Sequence, residues 1–235
     1  MNTYLGRLTK FIFRTPVQDY INPQKYVFHH LHKCGGTSLK KSLEDFFILK
    51  KDYGVNGEPS LNFNRLKPYD LLVGHFEKEY SKLFKRYPSV EDDKVFLFTM
   101  VREPLKLKVS LYYYWMGLGW IENISLLDFL EEKPNYLSML LYCDETNWKK
   151  MLFKYSFIGT LEDYSTSLEV LSILINRKFK IYDIENKSKK DIQYTSLFDN
   201  GLFINDFKNK NQLDYKIYNF VLERLQEDKE NYLNT

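Results

Sequence analysis

Tyr26–Leu39 reads YVFHHLHKCGGTSL, and the order of its parts decides the fold. Tyr26–His32 is a short run rich in β-favouring residues that stops at Gly35-Gly36. From Ser38 to Leu49 the apolar residues Leu39, Leu43, Phe46 and Phe47 then fall at helical spacing. The segment therefore predicts a strand, a tight turn and a helix. Free N–H groups at a helix start point outward and the helix dipole favours negative charge, so such a junction suits an anion. Gly35 and Gly36 permit close backbone approach, Thr37 and Ser38 add hydroxyl donors, and Lys33 adds a full positive charge. The spacing is not that of Walker A, where the lysine follows the glycines, and this disfavours an ATPase. An ordinary glycine turn with Thr37 or Ser38 as N-cap would read the same way, so the segment leaves both open on its own.

Outward from this segment the chain alternates strands and helices. Leu71–Val73 is a second apolar strand ending at Gly74-His75, with a polar, helix-like stretch after it to Tyr87. Val95–Val101 is a third, apolar on both faces except Thr99, as expected at the centre of a parallel sheet. It runs into Arg102-Glu103-Pro104, where Pro at a first helical position opens the next helix. Ser125, with Asp128 three residues later, reads as a helix start. Tyr155–Gly159 is a fourth strand, followed by a helix to about Ile175. Residues 178–210, rich in Lys and Asn, read as a long surface loop with short ordered pieces, and a final amphipathic helix covers Asp214–Lys229. The pattern is α/β: a P-loop-like parallel sheet flanked by helices in a single domain spanning 1–235, with an N-terminal extension at 1–24. Arg102 lies at the carboxyl end of a central strand, where open α/β sheets hold ligands, and Ser110 follows about two helical turns later. Arg suits a forked grip on phosphate, with Ser as an added donor; a surface ion pair of Arg102 with Glu103 or another acid is the competing reading.

Composition narrows the partners. A formal net charge of +3, from 34 basic and 31 acidic residues, is too small to favour a nucleic-acid polymer, while local basic clusters could still hold a small polyanion. Two distant cysteines, Cys34 and Cys143, give no disulfide framework and fit a reducing compartment. The first twenty residues hold no apolar run of signal or membrane-span length, so we expect a cytoplasmic, bacterial protein. Alternating basic and aromatic residues in Lys10–Arg14 leave room for peripheral membrane contact.

Two segments together carry a family resemblance. YVFHHLHKCGGTSL at Tyr26–Leu39 resembles the 5′-phosphosulfate loop of PAPS-dependent sulfotransferases. FTMVREPLKLKVSLYYY at Phe98–Tyr114 resembles their 3′-phosphate segment, with Arg and Ser at the usual spacing. Both are similar to the carbohydrate group that includes heparan sulfate 2-O-sulfotransferase and the chondroitin sulfotransferases. Weaker echoes follow in order: Lys133–Tyr142 resembles the Asn-containing stretch before a substrate helix, Phe157–Leu171 the Gly-x-x-Glu unit, and Leu213–Leu225 the closing Asp-x-x-x-Tyr helix. The resemblance implies PAPS as donor, PAP as product, and sulfuryl transfer to a carbohydrate hydroxyl without a metal. It implies that Lys33 contacts the transferring sulfate, that Gly35, Gly36, Thr37 and Ser38 hold the 5′-phosphate, and that Arg102 and Ser110 hold the 3′-phosphate. Cys34 departs from the small or hydroxyl residue usual at its position.

Sulfuryl transfer is an in-line displacement that needs a base at the acceptor hydroxyl and a cation at the bridging oxygen. Of the four histidines, His29, His30 and His32 belong to the first strand, where they fit sheet packing or substrate contact better than a metal site. His75 stands apart, just past the second strand, and Gly74-His75 resembles the Gly-His pair of the heparan 2-O-type enzymes, whose His is the base. His75 is thus the candidate base, with Lys33 as its catalytic partner and Glu77 and Glu79 in reserve; a half-buried or capping His75 is the plain alternative. Tyr112–Trp115 and Trp120 offer an aromatic wall for a sugar or an ordinary core, and Lys187, Lys189 and Lys190 a steering patch or a solvated loop. A P-loop kinase or other phosphotransferase, and a non-catalytic nucleotide- or glycan-binding protein, remain as alternatives.

Overall fold

The computed structural model describes residues 25–54, 58–77, 82–178 and 199–233. The N-terminal extension, Glu79, and Lys187, Lys189 and Lys190 lie outside them. Five strands form one parallel sheet in the order β2-β3-β1-β4-β5: β1 (Lys25–His29), β2 (Ile48–Asp52), β3 (Asp70–Gly74), β4 (Val95–Val101) and β5 (Phe157–Thr160). The α/β architecture expected from the sequence is present. β1 sits between β3 and β4, with Phe28 in register with Val73 on one side and Phe98 on the other. The Phe28 and Phe98 rings stack at 5.1 Å. Every residue of β3 and β4 is buried, which is why both read as mainly apolar runs, with Asp70 at the start of β3 and Thr99 within β4 the polar residues.

From β1 the chain goes to the edge strand β2 and returns inward to β3, then crosses to β4 and β5 on the opposite side. The carboxyl ends of β1 and β4 therefore flank the point where the winding direction changes, and open sheets of this kind have a crevice there.

Helix α1 (Gly36–Glu44) leaves the first strand as expected, but it is shorter than the sequence predicts. The N–H groups of Phe46 and Phe47 both turn back to the Leu43 carbonyl, and Ile48 then begins β2. That strand is an edge strand carrying Lys50 and Lys51, and its lysines hid it: positive charge on an exposed edge blocks pairing with another chain and breaks the apolar alternation that marks a strand. The helix expected before Tyr87 is, among the described residues, only the single turn α2 (Leu83–Arg86), which Pro88 follows with a 3₁₀ turn. Residues 201–210, expected in the long loop, form α8 (Gly201–Lys210). Asn200 caps it by accepting from the Phe203 N–H at 3.1 Å. Phe203 and Phe207 pack from α8 onto Leu105, Val109 and Leu130, a contact between distant segments that composition cannot reveal.

Other starts fall where the sequence puts them. Pro104 opens α3 (Pro104–Gly117), and Ser125 caps α4 (Leu126–Glu131) by accepting from the Asp128 N–H at 3.1 Å. Two further short helices, α5 (Tyr136–Leu140) and α6 (Trp148–Leu152), precede β5, and α7 (Tyr164–Leu174) follows it. The last helix, α9, runs Gln212–Tyr232 and clasps α5. Buried Asp214 accepts from the Leu137 and Ser138 N–H groups at 2.8 and 2.7 Å, and Asn135 Oδ1 accepts in return from the N–H groups of Leu213 and Asp214. Among the described residues no helix is long and apolar enough to cross a membrane.

Candidate active site

A cleft of about 200 Å³ opens at the crevice and is lined by Lys33, Gly35, Gly36, Thr37, Ser38, His75, Arg102 and Ser110, with His30, His32, Tyr114 and Leu161 completing its wall. The residues marked for the donor thus meet Lys33 and His75 in one place, although they come from the loops after β1, β3 and β4 and from α1 and α3. Of the reserve bases, Glu77 is not among the lining residues and Glu79 lies outside the described residues.

The loop after β1 is held in an uncommon shape. Lys33 has φ 59° and Gly35 φ 79°, both in the left-handed region. For lysine that costs free energy and persists only where the surroundings impose it, a pattern common at ligand sites. The α1 helix begins directly after, and the Leu39 N–H donates to the Gly35 carbonyl at its start. The Lys33 ammonium lies 4.4 Å above the Tyr114 ring. Gly36 has no room for a side chain: a Cβ there would sit 2.0 Å from His30 Cδ2, and His30 is buried. Gly36→Ala should therefore push His30 and its neighbours apart, destabilising the fold by about 1–3 kcal/mol. Urea unfolding measures this, and unchanged stability would mean that His30 is free to move. Cys34 points away from the cleft into the core, its thiol donating to the His32 carbonyl at 3.3 Å while burial pushes its pKa up. It is a packing residue with an unreactive thiol.

Arg102 spans the two motifs. Its Nη1 donates to the Lys33 carbonyl at 3.4 Å, and its buried Nε has no hydrogen-bond partner. Among the described residues it forms no ion pair. The surface pairing with Glu103 is absent because Glu103 is otherwise engaged. That carboxylate accepts from the Lys106 N–H at 2.7 Å, capping α3, and from the Tyr215 hydroxyl at 2.5 Å. Glu162 accepts from the Glu103 N–H at 3.1 Å and from the Tyr218 hydroxyl at 3.0 Å, so α9 braces the Arg102 loop from behind. A buried guanidinium nitrogen without a partner is costly, and an anionic ligand would satisfy it. The donor set of this cleft fits a phosphate- or sulfate-bearing ligand.

His75 donates from Nδ1 to the His30 carbonyl at 2.5 Å, which fixes the ring and leaves Nε2 with its lone pair. Burial, followed by the neighbouring His32, pushes its pKa down to about 4, so the ring is neutral near pH 7. Its ring stacks on His32 at 3.9 Å and lies 4.4 Å from His30. His32 Nε2 meets Glu77 Oε2 at 2.7 Å. His30 lies in the cleft wall, buried enough that desolvation holds its pKa well below the usual value. His29 turns to the other face, where its Nδ1 meets the Tyr155 hydroxyl at 2.7 Å and burial drops its pKa to about 3. It is sheet packing. The aromatic run divides in the same way. Tyr112, Tyr113 and Trp115 belong to the core or pack against it, whereas Tyr114 lines the cleft and exposed Trp120 meets it edge-on at 6.3 Å.

Sequence reasoning missed Tyr53 and Leu161. Tyr53 follows the unrecognised strand β2, and its ring lies 4.8 Å from that of His75. Leu161 follows β5 and closes over Gly35, with Cδ1 2.6 Å from where a Gly35 Cβ would be. The Gly-x-x-Glu echo around Gly159 was the available signal for Leu161.

No protein-family model matches the sequence, and comparison with curated protein sequences gives no match. Among solved structures the chain is similar to a sulfotransferase from Alicyclobacillus acidocaldarius, at 11% identity and a TM-score of 0.42, with 83% of this chain and 96% of that one covered.

Proposed function

We propose that this chain is a PAPS-dependent sulfotransferase that moves a sulfuryl group to a hydroxyl of a carbohydrate acceptor. The observation that carries the reading is the meeting of Lys33, Gly36, Ser38, His75, Arg102 and Ser110 in one cleft, with the buried Arg102 Nε lacking a partner. The start of α1 takes the 5′-phosphate, using backbone N–H groups with Thr37 and Ser38. Arg102 and Ser110 take the 3′-phosphate. PAPS then lies with its sulfate towards Lys33 and His75.

In the reaction the acceptor oxygen attacks sulfur as the bond from sulfur to the bridging phosphate oxygen breaks, and PAP departs. His75 Nε2 takes the acceptor's proton, while Lys33 neutralises charge developing on the bridging oxygen. The fixed ring of His75, held through Nδ1, supports the base role because it leaves Nε2 as the acceptor of that proton. Tyr114 and Trp120 supply exposed aromatic surface beside Lys33, suited to a sugar face. Incubation with sulfur-labelled PAPS and a panel of sugars and polysaccharides tests the reading. Label should pass to at least one carbohydrate, and transfer only to a non-carbohydrate acceptor would overturn the acceptor class.

A further inference from the structure

His32, His75 and Glu77 each present a metal-ligating atom, and those atoms all lie within 4.8 Å of one another. We propose that these three side chains form a binding site for a divalent transition ion of the Zn²⁺ type at the wall of the cleft, and that occupation of the site inhibits the protein. The second half rests on the sulfotransferase reading given above; the first does not.

Three observations beyond proximity point to a cation. The His30 carbonyl accepts from His75 Nδ1, the outer hydrogen bond that orients imidazole ligands and raises their basicity. Glu77 Oε1 is buried without a hydrogen-bond partner and lies 3.8 Å from His75 Nδ1, so this half of the carboxylate faces the second imidazole. The other half already lies 2.7 Å from His32 Nε2, so two of the three ligands are gathered before any ion arrives. Two imidazoles and one carboxylate are a donor set that Zn²⁺ accepts in sites with an open fourth position. Two of the three ligands, His32 and His75, line the cleft that also holds His30, Lys33 and Arg102. Coordination uses the imidazole lone pairs, and a His75 bound to metal cannot also take a proton from an acceptor. The ion and the proton transfer are therefore mutually exclusive.

The test is calorimetric titration of chelator-treated full-length protein with ZnCl₂, and it needs no assay of turnover. The expected result is one equivalent bound, with His32→Ala, His75→Ala and Glu77→Gln each weakening binding at least about tenfold. Thermal melts confirm that each variant is folded, and Cys34→Ser and Cys143→Ser controls should bind like the parent. Binding that survives all three ligand substitutions, or that is lost with Cys143→Ser, would overturn the site. Inhibition is a separate arm: Zn²⁺ should stop sulfuryl transfer and a chelator should restore it. A protein that binds Zn²⁺ through these residues but transfers no sulfuryl group under any condition keeps the site and refutes the enzymatic reading. One that transfers normally with the site filled refutes the inhibitory role.

Discussion

His75→Ala should cut turnover by about 10²–10⁴-fold while leaving PAP affinity nearly unchanged, the range expected for loss of a general base. The imidazole reaches the cleft from the loop after β3, and its Nδ1 is already committed to the His30 carbonyl. Removal of the ring takes away Nε2 and little else that a nucleotide would touch. Lys33→Ala should behave differently, weakening donor binding as well as rate, because its charge acts on the sulfate before and during transfer. Single-turnover kinetics alongside PAP titration separates the two. Near-parental chemistry in His75→Ala would remove it as the base and direct attention to Glu77.

Arg102→Ala should weaken donor binding by roughly 1.5–3 kcal/mol, the value of a charge-assisted hydrogen bond, or about 10–150-fold in Kd. The expected selectivity effect is more diagnostic than the magnitude. The parent should prefer PAP strongly over its analogue lacking the 3′-phosphate, and the variant should lose most of that preference. The α9 brace on Glu103 and Glu162 stays in place without the guanidinium, so the loop should keep its course. A folded Arg102→Ala protein with undiminished preference for the 3′-phosphate would make Arg102 a strut between the two loops, through its bond to the Lys33 carbonyl.

The parallel sheet was legible because its central strands are buried on both faces and so are nearly continuous apolar runs, as Val95–Val101 illustrates with Thr99 its one polar residue. The site was legible for a related reason. Each marked residue sits immediately past a strand end or within two turns of one, and strand ends at the winding reversal converge without need of long-range information. What the sequence hid depended on distant contacts. β2 exists because Ile48–Asp52 finds β3 alongside, despite its lysines. α8 exists because Phe203 and Phe207 find Leu105 and Val109. The pairing of His32 with Glu77 was hidden because His32 was assigned to a strand that in fact ends at His29. Past that end the chain leaves the sheet, and alternation no longer tells which way a side chain faces. Cys34 was unreadable for the same reason, since only the turn of the loop buries it.

The central claim is that the cleft is built for a nucleotide bearing a 3′-phosphate, and a thermal melt with PAP and with ATP tests it most directly. A ligand that binds only the folded state raises Tm by linkage, by about 2.7 kcal/mol of stability at a hundredfold excess over Kd. PAP should raise Tm clearly at concentrations where ATP has little effect, because ATP offers Arg102 and Ser110 no 3′-phosphate. Equal stabilisation by the two nucleotides, or by neither, would contradict the account.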